Sequence, residues 1–202
     1  MGGLGAARKV ELDAAEVRVD CLARPVGVED LKGLAVPLII TVRREDEGGA
    51  RAMTDAQRSD LYLELLPVAS AVDIELRSFK ALAGVVEKAK KRGVLVIGSF
   101  HDFEVTPSLG RLRAAVKAAR KAGADVVKIA AKTERASEVA RLLILLEERE
   151  MPTAVMGMGT LGRASRLLFA KAGSVLNYGW LHEPQVPGQW SAKEFRDLLA
   201  RA

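Results

Sequence analysis

Short β-like runs alternate with helical stretches along this chain, and in several of the runs charged residues recur at every second position. Successive side chains of a strand point to opposite faces. Val17, Val19 and Cys21 therefore share one face of the first run, and Glu16, Arg18 and Asp20 share the other. In the third run Val72, Ile74 and Leu76 oppose Asp73, Glu75 and Arg77, and in the fifth Val127 and Ile129 oppose Lys128. Repeated strand–helix units imply a parallel sheet. An open, doubly wound sheet is dry on both faces and has no place for such charges. A barrel has one: its outer face packs on helices, while charges on the inner face pair with one another and line a polar centre. The pattern thus predicts a TIM-type (β/α) barrel with its working site at the C-terminal ends of the strands.

The strands are expected at Val17–Leu22, Leu38–Arg43, Val72–Arg77, Val94–Phe100, Asp125–Ala131, Thr153–Met158 and Ser174–Trp180, with helices in the gaps. Gly93, Gly123 and Gly173 each follow a helix, where a left-handed cap is wanted. Thr54, Ser78 and Ser191 are expected to cap helix starts. The length, 202 residues, fits one domain over 1–202. A net charge of +5, scattered rather than clustered, and 4% aromatics speak against nucleic acid as a partner. No apolar run reaches the length of a membrane span, and the N-terminus lacks the apolar stretch of a secretory signal, so a cytoplasmic protein with no membrane partner is expected. The single cysteine, Cys21, excludes an intramolecular disulfide and a cysteine-based metal cluster, and no metal-ligand spacing is found.

Several stretches can carry chemistry. Lys128 stands in a strand that otherwise reads as core. It is either paired with an inward acid such as Glu75, or an amine held dry so that it can attack a carbonyl. His101, in "SFHDFEVTPS", is expected just past the end of its strand, facing Lys128 on the next strand. It is either a loop histidine bonded to backbone or a proton-transfer group. "TVRREDEGG" holds Arg43 and Glu47 before two glycines, and taken alone reads as a solvated charged loop. In "GTLGRASRLLF", Arg166 lies near a glycine-rich turn. It either faces solvent or grips a carboxylate bidentately.

The segments "EVRVD", "TVRREDEGG", "VDIELRS", "SFHDFEVTPS", "GADVVKIA", "ASRL" and "PGQ", in this order and spacing, resemble type I 3-dehydroquinate dehydratase of the shikimate pathway, from about Glu16 to the C-terminus. The resemblance implies a Schiff-base hydro-lyase on a TIM barrel. It would dehydrate 3-dehydroquinate to 3-dehydroshikimate on the way to aromatic amino acids, without a cofactor. By this likeness Lys128 forms the imine, His101 is the general acid/base and Glu47 orients it. Arg166 holds the substrate carboxylate, and Glu16, Arg18 and Arg43 bind ring hydroxyls or support the site. Gln189 closes over the substrate from the lid, where Gln185 replaces the serine usual in the family. A second departure is the strand count. The barrel of this kind has eight strands, but seven are read here, and only about fifteen residues precede "EVRVD". The usual first strand is thus expected to be missing. Residues 1–14 or a second copy are expected near the gap, and a homodimer is the expected assembly. Two rival readings are another Schiff-base barrel lyase or aldolase, and an inactive barrel that binds a sugar acid or a partner protein.

Overall fold

A computed structural model describes residues 12–201. Six parallel strands form one sheet in sequence order. They are β1 (Ala15–Arg18), β2 (Leu38–Thr41), β3 (Ala71–Glu75), β4 (Leu95–Asp102), β5 (Val126–Lys132) and β6 (Thr153–Met158). Between and after them come helices α1 (Val28–Leu31), α2 (Asp55–Leu65), α3 (Ala83–Lys91), α4 (Leu109–Lys121), α5 (Ala136–Glu148), α6 (Gly162–Lys171) and α7 (Ala192–Arg201). The Thr54 hydroxyl accepts from the Gln57 N–H to start α2, and Ser191 does the same for Glu194 at α7. Gly93, Gly123 and Gly173 all have positive φ, as expected of residues that end helices.

The sheet is strongly curled. Glu16 on β1 and Lys128 on β5 are four strands apart, which in a flat sheet means about 19 Å. Their side chains nevertheless approach to 3.7 Å across the interior. The outer faces build two cores against the helices. Val17, Ile40, Val72, Ile74 and Val96 meet Tyr62, Leu65 and Val85. Val127, Ile129 and Val155 meet Leu112, Val116, Leu142 and Phe169. Each such aliphatic side chain contributes about 1.5–3 kcal/mol by leaving water. The inner face is apolar only at the bottom and on one flank, where Ile39, Ala71 and Ile97, and separately Ala154, Met156 and Met158, pack on Leu176 and Tyr178.

Three expectations are corrected. The first strand stops at Arg18, because Val19–Cys21 form a 3-10 turn that buries Val19 and Asp20. Ser78 caps no helix: it is buried in the turn Leu76–Ser78 and accepts from Arg58 Nη1. The seventh run is not a strand, so the described residues give six strands and not seven. Val175 N–H donates to the Thr153 carbonyl, but the ladder ends there. The Ser174 hydroxyl accepts from Val155 N–H and donates to the Leu176 carbonyl, so a side chain takes the place that backbone pairing would fill. The chain then turns into α7 through a single bridge between Trp180 and Ser191. The expectation about residues 1–14 falls mostly outside the described residues.

Candidate active site

Strand parity places Glu16, Arg43, Asp73, Glu75, Ser99, His101 and Lys128 on the inner face. Lys128 is buried at the centre of β5. Its Nζ donates to Asp73 Oδ2 at 2.7 Å, lies 3.7 Å from Glu16 Oε1, and stands 4.5 Å from the centre of the Tyr178 ring. The amine is held by two carboxylates and an aromatic face, and its closest acid is Asp73 rather than Glu75. Glu16 is itself fixed by a hydrogen bond of 2.7 Å from Thr41.

Glu75 is occupied elsewhere. It takes Arg43 Nη1 at 3.2 Å, the Arg44 N–H at 3.0 Å and a close contact from Arg58. Arg43 Nη2 also lies 2.9 Å from Asp73 Oδ1, a charge contact that is not aligned as a hydrogen bond. Burial works against both charges. The neighbouring acids nevertheless raise the Arg43 guanidinium, and the Arg43 and Lys128 charges hold the Asp73 carboxyl well below the usual range. Arg18 pairs with Asp20 at 2.7 Å and donates to the Gly48 carbonyl, which ties β1 to the loop carrying Glu47.

In the β4–β5 register Ser99 faces Lys128 and His101 faces Ala130. His101 thus stands one pleat, about 6.6 Å, further toward the C-terminal mouth than Lys128. Its Nδ1 lies 2.9 Å from Glu47 Oε2. Burial, then the charges of Arg43 and Lys128, push the imidazole well below its ordinary pKa. Burial and the like charge of Glu75 push the Glu47 carboxyl up to about 7. A neutral histidine beside a carboxyl that titrates near neutrality is suited to taking up and returning a proton.

Arg166 enters from the first turns of α6, but it is buried rather than solvated. Its Nε donates to the Gly157 carbonyl at 3.0 Å and its Nη1 to the Tyr178 carbonyl at 3.1 Å. Among the described residues no Asp or Glu pairs with it, and burial pulls its pKa down to about 10. Gly157 is required beneath it, since a Cβ there would fall 2.0 Å from Ser165 Oγ. Gln185 is exposed and its N–H donates to Gln189 Oε1 at 3.0 Å, which links the two lid glutamines.

The structure therefore brings Glu16, Arg43, Glu47, His101 and Lys128 into one network, with Arg18 at its edge. Arg166 and the Gln185–Gln189 loop lie outside that network, on the β6 side. Sequence did not foretell the roles of Asp73, Arg58 and Tyr178. For Asp73 the alternation with Glu75 was the available signal. Arg58 lies in "DAQRSD", which reads as a solvated helix face, and nothing local marks it as buried.

Residues 3–201 match the model of the type I 3-dehydroquinase family. The 3-dehydroquinate dehydratase of Thermococcus onnurineus is 37% identical over 190 residues, 94% of this chain and 87% of that protein. Among solved structures, the 3-dehydroquinate dehydratase of Aquifex aeolicus superposes with a TM-score of 0.87 at 30% identity, over 99% of this chain and 92% of that one. The type I enzyme of Clostridium difficile, solved with covalently modified comenic acid, gives 0.86 at 28% identity, over 98% and 85%. With a family match along nearly its whole length and an inner face that gathers lysine, histidine and acids, this chain belongs to the type I 3-dehydroquinases.

Proposed function

We propose that this protein dehydrates 3-dehydroquinate to 3-dehydroshikimate through an imine on Lys128. The observation that carries the reading is the buried Lys128 amine one strand away from the His101–Glu47 pair, on the same inner face. The substrate is a β-hydroxy ketone. A neutral His101 takes a proton from the amine, which adds to the ketone; His101 then returns that proton to the carbinolamine hydroxyl, which leaves as water and gives the protonated imine. That imine is the electron sink: His101 removes the adjacent C–H proton and the electrons move into the C=N bond. The enamine then expels the hydroxyl, which leaves as water with the proton held by His101. Hydrolysis of the imine consumes one water, returns the amine and releases the conjugated ketone, so the net change is the loss of one water.

Each remaining residue has a part. Glu47 holds His101 and supports the imidazolium as it forms. Arg166 receives the substrate carboxylate, which supplies the counter-charge its buried guanidinium lacks. Arg18 and Arg43 are already tied to acids, so their part is to shape the polar wall and meet ring hydroxyls with their remaining donors. Glu16 accepts from a hydroxyl near the amine, and Gln185 and Gln189 close the mouth. The assembly that goes with this reading is a single-domain cytoplasmic homodimer, measurable by light scattering.

Turnover tests the reading. The purified protein should convert 3-dehydroquinate to a product whose new C=C conjugates with the ketone, seen as rising short-wavelength ultraviolet absorbance. No absorbance change with 3-dehydroquinate, or aldol cleavage in place of dehydration, would contradict it.

A further inference from the structure

Arg77 lies just beyond β3, in the 3-10 turn Leu76–Ser78, and is the one arginine that reaches Glu47 directly among the described residues. Its Nε lies 3.1 Å from Glu47 Oε1, while the other oxygen, Oε2, lies 2.9 Å from His101 Nδ1. The guanidinium does not swing freely, although the side chain is 58% exposed: Nη1 donates to Asp46 Oδ2 at 2.7 Å. Asp46 is held in turn by Arg44 Nε at 2.8 Å. The carboxylates also sit on a rigid platform, the turn Glu45–Glu47. Gly48 ends it with a φ of 85°, and the Gly49 N–H returns to the Arg44 carbonyl at 2.7 Å.

We propose that Arg77 is a positioning residue for the acid–base pair, fixing one oxygen of Glu47 so that the other meets His101. The inference rests on the dehydratase reading and adds a residue to it. Glu47 is faced by His101 from β4, Glu75 from β3, Arg43 from the end of β2, Asp46 from its own turn and Arg77 from the turn after β3. Burial, Glu75 and Asp46 oppose its negative charge, and Arg43 and Arg77 support it. Arg43 is already divided between Asp73 and Glu75. Removing Arg77 leaves Glu47 free to rotate and harder to ionise. The imidazolium of His101 then loses part of its support whenever it holds the substrate's proton.

The sign of the pH effect follows. The competent state needs Glu47 ionised, so activity falls as pH drops through its pKa. Without Arg77 that pKa rises, and the acid limb of the rate profile moves to higher pH.

The experiment compares kcat and KM for 3-dehydroquinate as functions of pH in wild type, Arg77→Ala, Arg77→Lys, Glu47→Gln and the Arg77→Ala/Glu47→Gln double variant. Arg77→Ala should lower kcat by roughly 2–5-fold, the reach of a partly exposed ion pair, with KM changing less. Its acid limb should move up in pH, and Arg77→Lys should restore part of both effects. In the Glu47→Gln background Arg77→Ala should change nothing further, because the group it acts through is gone. Unchanged kcat and acid limb in Arg77→Ala, or a full effect that persists in the Glu47→Gln background, would overturn the role of Arg77. A wild type that fails to dehydrate 3-dehydroquinate would instead overturn the reading on which it rests.

Discussion

On the β1–β4 side of the curled sheet, Arg18, Arg43 and Arg58 each meet a carboxylate. On the β6 side, Arg166 is also buried and, among the described residues, donates to the Gly157 and Tyr178 carbonyls rather than to an acid. The first side is an electrostatic network around Lys128 and His101. The second holds a buried cation with no Asp or Glu partner among the described residues, and the loop packed on the start of α6 bonds Gln185 to Gln189. The two sides thus differ in electrostatics: carboxylates meet the arginines around Lys128 and His101, and backbone carbonyls meet Arg166.

The comparison can be broken first at the boundary between the two sides. His101→Ala removes the proton carrier and should lower kcat by about 10²–10⁴-fold. The amine should still form some adduct, because Lys128 itself remains. Near wild-type turnover would remove His101 from the mechanism.

Next comes stability. Arg58→Met strips a partner from buried Glu75 and leaves a poorly compensated charge, which should cost about 3–5 kcal/mol in denaturant unfolding. Arg166→Met on the other side removes an uncompensated cation and should leave unfolding unchanged or slightly stabilised. Equal losses from both substitutions would show that the two sides do not differ as described.

The smallest effect expected is on recognition. Arg166→Ala should raise KM by roughly 10–100-fold, the loss of a charge-assisted contact of about 1.5–3 kcal/mol, with kcat changed less. An unchanged KM would remove the carboxylate from this side of the mouth.

How legible this was in the sequence also differs between the two sides. The period-two alternation of charges pointed to a barrel with a polar interior; the described strands form a curled six-stranded sheet whose inner face holds Glu16, Asp73, Glu75 and Lys128, while Asp20 and Arg77 lie in 3-10 turns beyond the strands. The pairing of His101 with Glu47 followed from a family likeness, since nothing in "TVRREDEGG" alone says which acid turns inward. The seventh run misled because Ser174–Trp180 has strand composition. Its pairing is decided by the Ser174 hydroxyl, whose competition with the backbone ladder is invisible in a hydrophobic pattern. The choice of Asp73 over Glu75 as the lysine's partner depends on Arg58, which reaches Glu75 from a neighbouring helix, and no local periodicity reports a contact of that kind.

The central claim is that the buried amine of Lys128 does the chemistry, and one measurement addresses it most directly. Borohydride is added to the protein in the presence of 3-dehydroquinate, followed by mass spectrometry of the digest. The account predicts irreversible loss of activity and a stable adduct on the peptide containing Lys128. It also predicts that Lys128→Met, which roughly keeps the side-chain volume, forms no adduct and shows no turnover while remaining folded. An adduct on a different lysine, or dehydration by the Lys128→Met variant, would contradict it.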